Sequence, residues 1–446
     1  MNKSDLSNIE NENVKLLVVK FAVPAVSALL IQSVYNVIDT IYVGHGLGGY
    51  GISAMTVVFP MVLLMQSISN LLSIGGGALI SMELGAKRNR KADLIAGNVI
   101  SGTIITGIII TVLGYVYTKP ILIFFGATPS IYEFTKQYMM IAFGGITFSF
   151  LLLAFYSILR AVGKVKIVMY TTFVSVILNI ILAPIFLFVF KWGMYGVSLA
   201  TLLAQVIVLI YVIIYFLKRK TVLRIIKNDF LLKYNIIRQS VLIGSSSFIR
   251  MSGSAFITVI TNHLAFIYGG PLAIGAIGIA YRVLTVLFMP VIGFVQGNQP
   301  IIGYCYGANN RKRIREVLKF SIFLNIIMMI VFIAVCHFYV HQIVYAFGND
   351  PFIIKNTPKF MNIILLGMPL LAYQAIISGY LQAVGRYVAS NVVSMLRQYV
   401  FFLPFLFVLP MFYKLDGLLY AFPVSTVIPC IIILIWMRYD TKKFLI

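Results

Sequence analysis

Asp39 is the residue whose chemistry most needs an explanation. It lies in Val34-Tyr35-Asn36-Val37-Ile38-Asp39-Thr40, deep in an apolar stretch, while the other acids fall in the N-terminal tail, at the ends of apolar stretches or in loops. An ionisable side chain within a membrane span costs several kcal/mol and marks a functional site. A carboxylate in that position can take up and release a proton, or lend an oxygen to a small cation. Gln32, Tyr35, Asn36 and Asp39 recur at i, i+3, i+4 and i+7, so a helix gathers them into one polar stripe. Thr172, Ser175 and Asn179 form a second stripe, and Ser198, Thr201 and Gln205 a third. At 1.5 Å of rise per residue, Asp39 lies roughly 8 Å from the turn at Gly44, Asn179 roughly 18 Å before Lys191, and Thr201 roughly 12 Å past Gly193. All three can therefore meet in one half of a bilayer. Asp39, Asn179 and Thr201 are read as the proton- or cation-coupling set, and as the oxygen ligands if the ion is Na⁺. Gln32, Tyr35, Asn36, Ser175, Ser198 and Gln205 are read as the lining of an adjoining substrate cavity.

The elements that must position these residues follow from composition. Of 446 residues, 61% are apolar and 11% charged, with mean hydropathy +0.98. Globular proteins run near 45–50% apolar and about 25% charged, so soluble enzymes and nucleic-acid-binding domains are excluded. Taking about 20 apolar residues per crossing and cutting at charge clusters and Gly/Pro turns predicts twelve helices: 16–43, 51–80, 93–117, 134–158, 166–190, 194–217, 236–267, 272–300, 316–340, 358–382, 388–412 and 417–438. The fold class is an all-α integral membrane protein. The polar N-terminus lacks the basic start and short apolar core of a cleavable signal, so the first span is expected to persist.

The net charge of +23 would suggest nucleic acid in a soluble protein, but its placement points elsewhere. Lys87-Arg88-Asn89-Arg90-Lys91, Lys218-Arg219-Lys220 and Arg311-Lys312-Arg313-Ile314-Arg315 lie in loops on the side shared by the termini, whereas only Lys119, Lys136, Lys191, Lys355, Lys359 and Lys414 fall opposite. The positive-inside rule then places both termini in the cytoplasm of a multi-pass plasma-membrane protein. No nucleic-acid partner is expected.

The basic connector after the sixth span divides the chain into 1–217, 218–235 and 236–446, and the two large parts repeat. A constant shift of 222 lays Gly85-Ala86-Lys87-Arg88 over Gly307-Ala308-Asn309-Asn310, and Leu159-Arg160-Ala161-Val162-Gly163-Lys164 over Leu381-Gln382-Ala383-Val384-Gly385-Arg386. With six spans each, the halves run in the same direction and are related by a pseudo-two-fold axis normal to the membrane, a transporter architecture with its site between the halves.

Arg250, Arg282 and Arg397 fall inside spans of the second half, where they are read as capping helix carbonyls or reaching an interface; His263, His337 and His341 are read as interfacial. Cys305, Cys336 and Cys430 are too widely spaced for a disulfide framework or a metal site. Metalloprotease, Walker and nucleophile-elbow motifs do not occur, so the chain is read as a non-enzyme without a cofactor whose transport draws on an ion gradient or runs downhill.

These residues resemble the multidrug and toxic compound extrusion (MATE) family over essentially the whole chain. The resemblance is carried by Pro24 with Tyr35–Gly44, Gly76-Gly77-Ala78, Leu84-Gly85-Ala86, Leu159–Gly163, Gly297–Tyr304 running into Tyr306-Gly307-Ala308, and Leu381–Arg386 followed by Leu396-Arg397-Gln398. It implies a V-shaped pair of six-helix bundles, acting as a monomer, that exports small amphipathic, often cationic organic compounds by antiport with H⁺ or Na⁺. It maps the family's first-helix aspartate, fifth-helix asparagine and sixth-helix threonine onto Asp39, Asn179 and Thr201, and makes Arg282 and Arg397 framework residues. Ala183 stands where the family motif usually has a second aspartate, which favours H⁺ over Na⁺. The position equivalent to Asp39 in the second half is Thr261, so coupling is expected in the first half. The alternative function within the same superfamily is a flippase for lipid-linked saccharide precursors, with Arg250, Arg282 and Arg397 lining its cavity.

Overall fold

A computed structural model describes residue 9 and residues 12–218, 221–345 and 351–444; the side chains of Asn36, Val37, Pro271 and the positions from 439 onward lie outside the described residues. The described chain is helical: α1 Val14–Gly85, α2 Asn89–Val116, α3 Thr118–Phe124, α4 Tyr132–Ala161, α5 Val165–Pro184, α6 Gly193–Leu217, α7 Tyr234–Gly307, α8 Arg311–Phe338, α9 Val340–Tyr345, α10 Pro351–Leu365, α11 Met368–Ala383, α12 Tyr387–Met395 and α13 Leu403–Phe444. Wider helical turns over Ile185–Val189 and Leu396–Phe402 prolong α5 and α12.

Three of these helices are hairpins. α1 turns at Gly48 (φ 65°), folding Gly51 back against Val43, and α7 turns at Gly270 (φ 72°). Both positions take a left-handed conformation that glycine, without a Cβ, adopts freely. α13 reverses at Lys414 (φ 49°) and brings Gly417 against Leu409. α10 and α11 form one span bent by 43°. The twelve predicted spans are thus present, with longer second limbs than expected: α1 runs on to Gly85 and α7 to Gly307, because nothing in Ser81-Met82-Glu83-Leu84 or its counterpart breaks a helix. The stop comes at Lys87 and Asn309, which both take positive φ. The repeat is now backbone geometry, since positive φ occurs at 48 and 270, 87 and 309, and 163 and 385, each pair 222 apart.

The packing joins the two halves at one end and separates them at the other. Toward the terminal, basic-loop end, one core draws on both halves, including Leu17, Phe21, Ile80, Leu159, Val212, Ile243, Ile301, Leu381 and Ile433. Toward the other end the core divides: Val43, Val58, Met139 and Leu187 belong to the first half, and Ile257, Ile277, Phe360 and Leu418 to the second. At the joined end the second limbs of α1 and α7 cross at matching glycines, Gly85 against the Tyr304 carbonyl and Gly307 against the Met82 carbonyl. Residues 82 and 304, like 85 and 307, are 222 apart, so the crossing obeys the internal two-fold. A Cβ at either glycine would enter the opposite backbone. Large apolar side chains on the outer helix faces, such as Val116, Ile210, Phe323 and Val408, are exposed, as a lipid-facing surface requires.

The connector is docked on α2. Arg90 donates to both oxygens of Asp229 at 2.6 and 2.5 Å, and the Ile226 amide donates to the same carboxylate at 2.9 Å. Asn98 donates to the Asp229 carbonyl at 3.0 Å and accepts from the Lys233 amide at 2.6 Å, while Asp93 accepts from the Arg224 amide at 2.7 Å. The Asp229 side chain is fully buried, and its pair with Arg90 holds the carboxyl below the usual carboxylate range.

Candidate functional site

Three helices place Asp39, Asn179 and Thr201 together. Asp39 stands nine residues before the Gly48 turn on the first limb of α1, Asn179 faces it from α5 one turn before Ala183, and Thr201 comes from α6. Asp39 and Asn179 are both 3% exposed. The Asn179 amide lies between the other two. With its nitrogen toward the carboxylate, Nδ2 donates to Asp39 Oδ1 at 2.9 Å, while Oδ1 accepts from Thr201 Oγ1 at 2.9 Å and from the Thr201 amide at 3.3 Å. In the opposite orientation Nδ2 donates to Thr201 Oγ1 at 2.9 Å, which in turn donates to the Val197 carbonyl at 3.3 Å. The first orientation suits an ionised carboxylate, which only accepts; the second suits a protonated carboxyl, which can donate to the amide oxygen. The same three residues offer carboxylate, amide and hydroxyl oxygens, the donor type that suits a hard cation.

The other members of the sequence-derived set separate. Tyr35 is half-buried and interacts electrostatically with Asp39. Gln32 and Ser175 are half-buried and Ser198 is buried. Gln205 is turned to α4, where Ser149 donates to its Oε1 at 2.5 Å, and Thr172 donates to its own helix at the Val168 carbonyl. The Asn36 side chain lies outside the described residues. Ala183 is fully buried.

One neighbour had no sequence signal. Tyr138 of α4 is buried beside both Asp39 and Thr201. It belongs to no polar stripe, and only the packing of α4 across α6 brings it in.

In the second half, Arg250 departs from its expected place at a carbonyl or an interface. Its guanidinium donates to two hydroxyls, Ser378 Oγ at 3.3 Å and Ser247 Oγ at 3.0 Å. Those serines are held by neighbours: Ser247 by Gln382, Ser378 by Ser390 and Ser394. Ser247 lies one turn earlier on the same helix, whereas Ser378 is 128 residues away and invisible to local patterning.

Known proteins share the fold that carries these residues. The MatE family model matches residues 24–185 and again 243–408, once in each half. The multidrug export protein MepA of Staphylococcus saprophyticus is 25% identical over 428 residues, spanning 96% of this chain and 94% of MepA. The probable multidrug resistance protein YoeA of Bacillus subtilis is 26% identical over 436 residues, spanning 95% and 93%. Among solved structures, the MATE multidrug transporter DinF-BH, in a ligand complex, superposes with a TM-score of 0.90 at 28% identity over 96% of each chain. An outward-facing multidrug resistance MATE family transporter of the MOP superfamily gives 0.93 at 20% identity over 99% of each, a likeness of fold.

Proposed function

Because the chain belongs to the MatE family, we propose that it is a secondary active exporter of small amphipathic, often cationic organic compounds, driven by antiport of H⁺ or Na⁺ at Asp39. The observation that carries this reading is the Asn179 amide held between Asp39 and Thr201. One exchangeable proton on Asp39 favours one amide orientation over the other, and the amide passes that preference to α6 through Thr201. A chemical change on α1 is thereby coupled to the contact between α5 and α6, which is what an ion must do to bias a transporter between two states. Asn179 and Thr201 serve as positioning residues and Asp39 as the carrier. Gln32, Tyr35, Ser175 and Ser198 form the cavity side of the first lobe in this reading, while Gln205 is held by Ser149 of α4.

The names of MepA and YoeA support multidrug export, as does the description of DinF-BH as a multidrug transporter. The lobes in this reading are 1–217 and 236–446, joined by 218–235, in a monomer surrounded by membrane lipid. Basic loops and both termini face the cytoplasm, so the split end of the V opens outward across the plasma membrane.

The test is a proteoliposome flux assay with a cationic dye under imposed pH or Na⁺ gradients. Asp39→Asn keeps the shape of the side chain but cannot carry the ion, and is expected to abolish gradient-driven export while still binding dye. Wild-type export rates from Asp39→Asn under both gradients would make Asp39 a structural residue.

A further inference from the structure

A permanent positive charge lies in the interior of the C-terminal lobe. Arginine does not deprotonate in proteins, and its guanidinium carries five N–H donors. On the first limb of α7, Ser247, Arg250 and Ser254 share one face, which meets α11 through Gln382 and Ser378 and the stretch after α12 through Gln398, whose Nε2 donates to Ser254 Oγ at 3.0 Å. Every one of these partners is neutral. The printed bonds of Arg250 engage two serine hydroxyls, and none of the ion pairs among the described residues includes it. The side chain is half-buried, so part of it faces open space.

Ile243 belongs to the core shared by both lobes and Ile257 to the core of the second lobe alone, which puts Arg250 at the level where the lobes part. The next residue, Met251, accepts from Asn70 Nδ2 of α1 at 2.9 Å, so the arginine stands beside the seam. The repeat shows that this charge is particular to one lobe: the positions 222 earlier are Ala25, Ala28 and Tyr156 in place of Ser247, Arg250 and Ser378. Asp39 is matched in the opposite sense by Thr261.

An unpaired charge away from water is strongly unfavourable, and a planar guanidinium is best satisfied by an oxyanion taken up through two parallel hydrogen bonds. We propose that Arg250, steadied by Ser247 and Ser378, receives the anionic group of an amphipathic molecule, a carboxylate, sulfonate or phosphate, at the level where the lobes part. Anionic and zwitterionic amphiphiles thereby join the compounds that the protein binds. Their transport rests on the exporter reading above; their binding does not.

Binding is measured on the detergent-solubilised protein with no gradient, so it stands apart from coupling at Asp39. The probes are a dansylated fatty acid and its uncharged amide. The wild type is expected to prefer the acid by about tenfold or more, the size of a hydrogen-bonded charge contact. Arg250→Gln is expected to remove the preference and Arg250→Lys to retain part of it, while unchanged amide binding reports an intact fold. Equal binding of acid and amide by the wild type overturns the proposal without reference to any variant, and so does an undiminished preference in Arg250→Gln. Displacement of the acid by phosphatidylglycerol but not by inorganic phosphate assigns the site to an amphiphile's headgroup; displacement by inorganic phosphate alone overturns that assignment in favour of a small free anion.

Discussion

Ala183→Asp should introduce or strengthen a Na⁺ dependence of transport. Ala183 is buried on α5, one turn after Asn179, and Asn179 reaches Asp39 at 2.9 Å. One turn advances about 6 Å along the axis, so the new carboxylate and Asp39 would stand roughly 6 Å apart. At an effective dielectric of 20, two like charges at that distance repel by about 3 kcal/mol. A cation seated between them relieves the repulsion, which corresponds to a gain on the order of a hundredfold in affinity for a small monovalent ion. The assay is dye efflux from proteoliposomes at equal internal and external pH with an inward Na⁺ gradient, together with Na⁺ titration of the purified protein. The expected result is negligible Na⁺-driven efflux from the natural chain and clear efflux from the variant. A variant that binds dye normally but ignores Na⁺ would refute the spacing, and tight Na⁺ binding by the natural chain would show that Asn179 and Thr201 suffice beside a single carboxylate.

Other consequences are equally accessible. Asn179→Ala removes the link between Asp39 and Thr201, so it should uncouple efflux from the ion gradient by more than tenfold while dye binding stays within about threefold; unaltered coupling would dismiss the amide as the link. A Cβ at Gly307 meets the Met82 backbone, and overpacking of this kind costs about 1–3 kcal/mol. In a chain carrying Cys336→Ser and Cys430→Ser, Gly307→Ala should therefore speed maleimide labelling of the buried Cys305 by roughly an order of magnitude, and labelling at the unaltered rate would refute the seam. Asp229→Asn should loosen the connector, read as several-fold faster tryptic cleavage between 224 and 233. Because the Asp229 carboxyl is held below its ordinary value, the docking is at full strength above about pH 4 and is lost as pH falls through that depressed value; cleavage by an acid-active protease that is independent of pH across this range would contradict the pairing.

The sequence made the architecture legible because each lobe repeats its punctuation. Gly85 and Gly307, and Gly163 and Gly385, could be aligned before any packing was known, and their backbone geometry matches the same shift. Asp39, Asn179 and Thr201 were legible for a different reason: polar side chains on apolar helices stand out at helical spacing. Tyr138 escapes that signal because an aromatic residue near a span end looks like interface, and the contact of Gln205 with α4 is not legible because spacing tells which residues share a face but not which neighbouring helix that face meets. The Gly48 and Gly270 turns were expected to be loops several residues long. A single glycine at positive φ makes each reversal, which shortens the turns and lengthens the limbs. Arg250 is visible as a charge and Ser247 lies one turn before it on the same helix, but Ser378 comes from a distant helix and carries no local pattern.

The docked connector also bears on how the chain is made. Its partners Arg90, Asp93 and Asn98 lie on α2 and so precede it, and chains fold from the N-terminal end as they are synthesised. The strap from Arg224 to Lys233 can therefore seat as soon as it leaves the ribosome, before α7 has entered the membrane. Seating closes the basic end of the first six spans and fixes where the seventh begins, beside the second limb of α1 that its glycines must meet. In that order the second lobe would meet a first lobe already closed at its basic end.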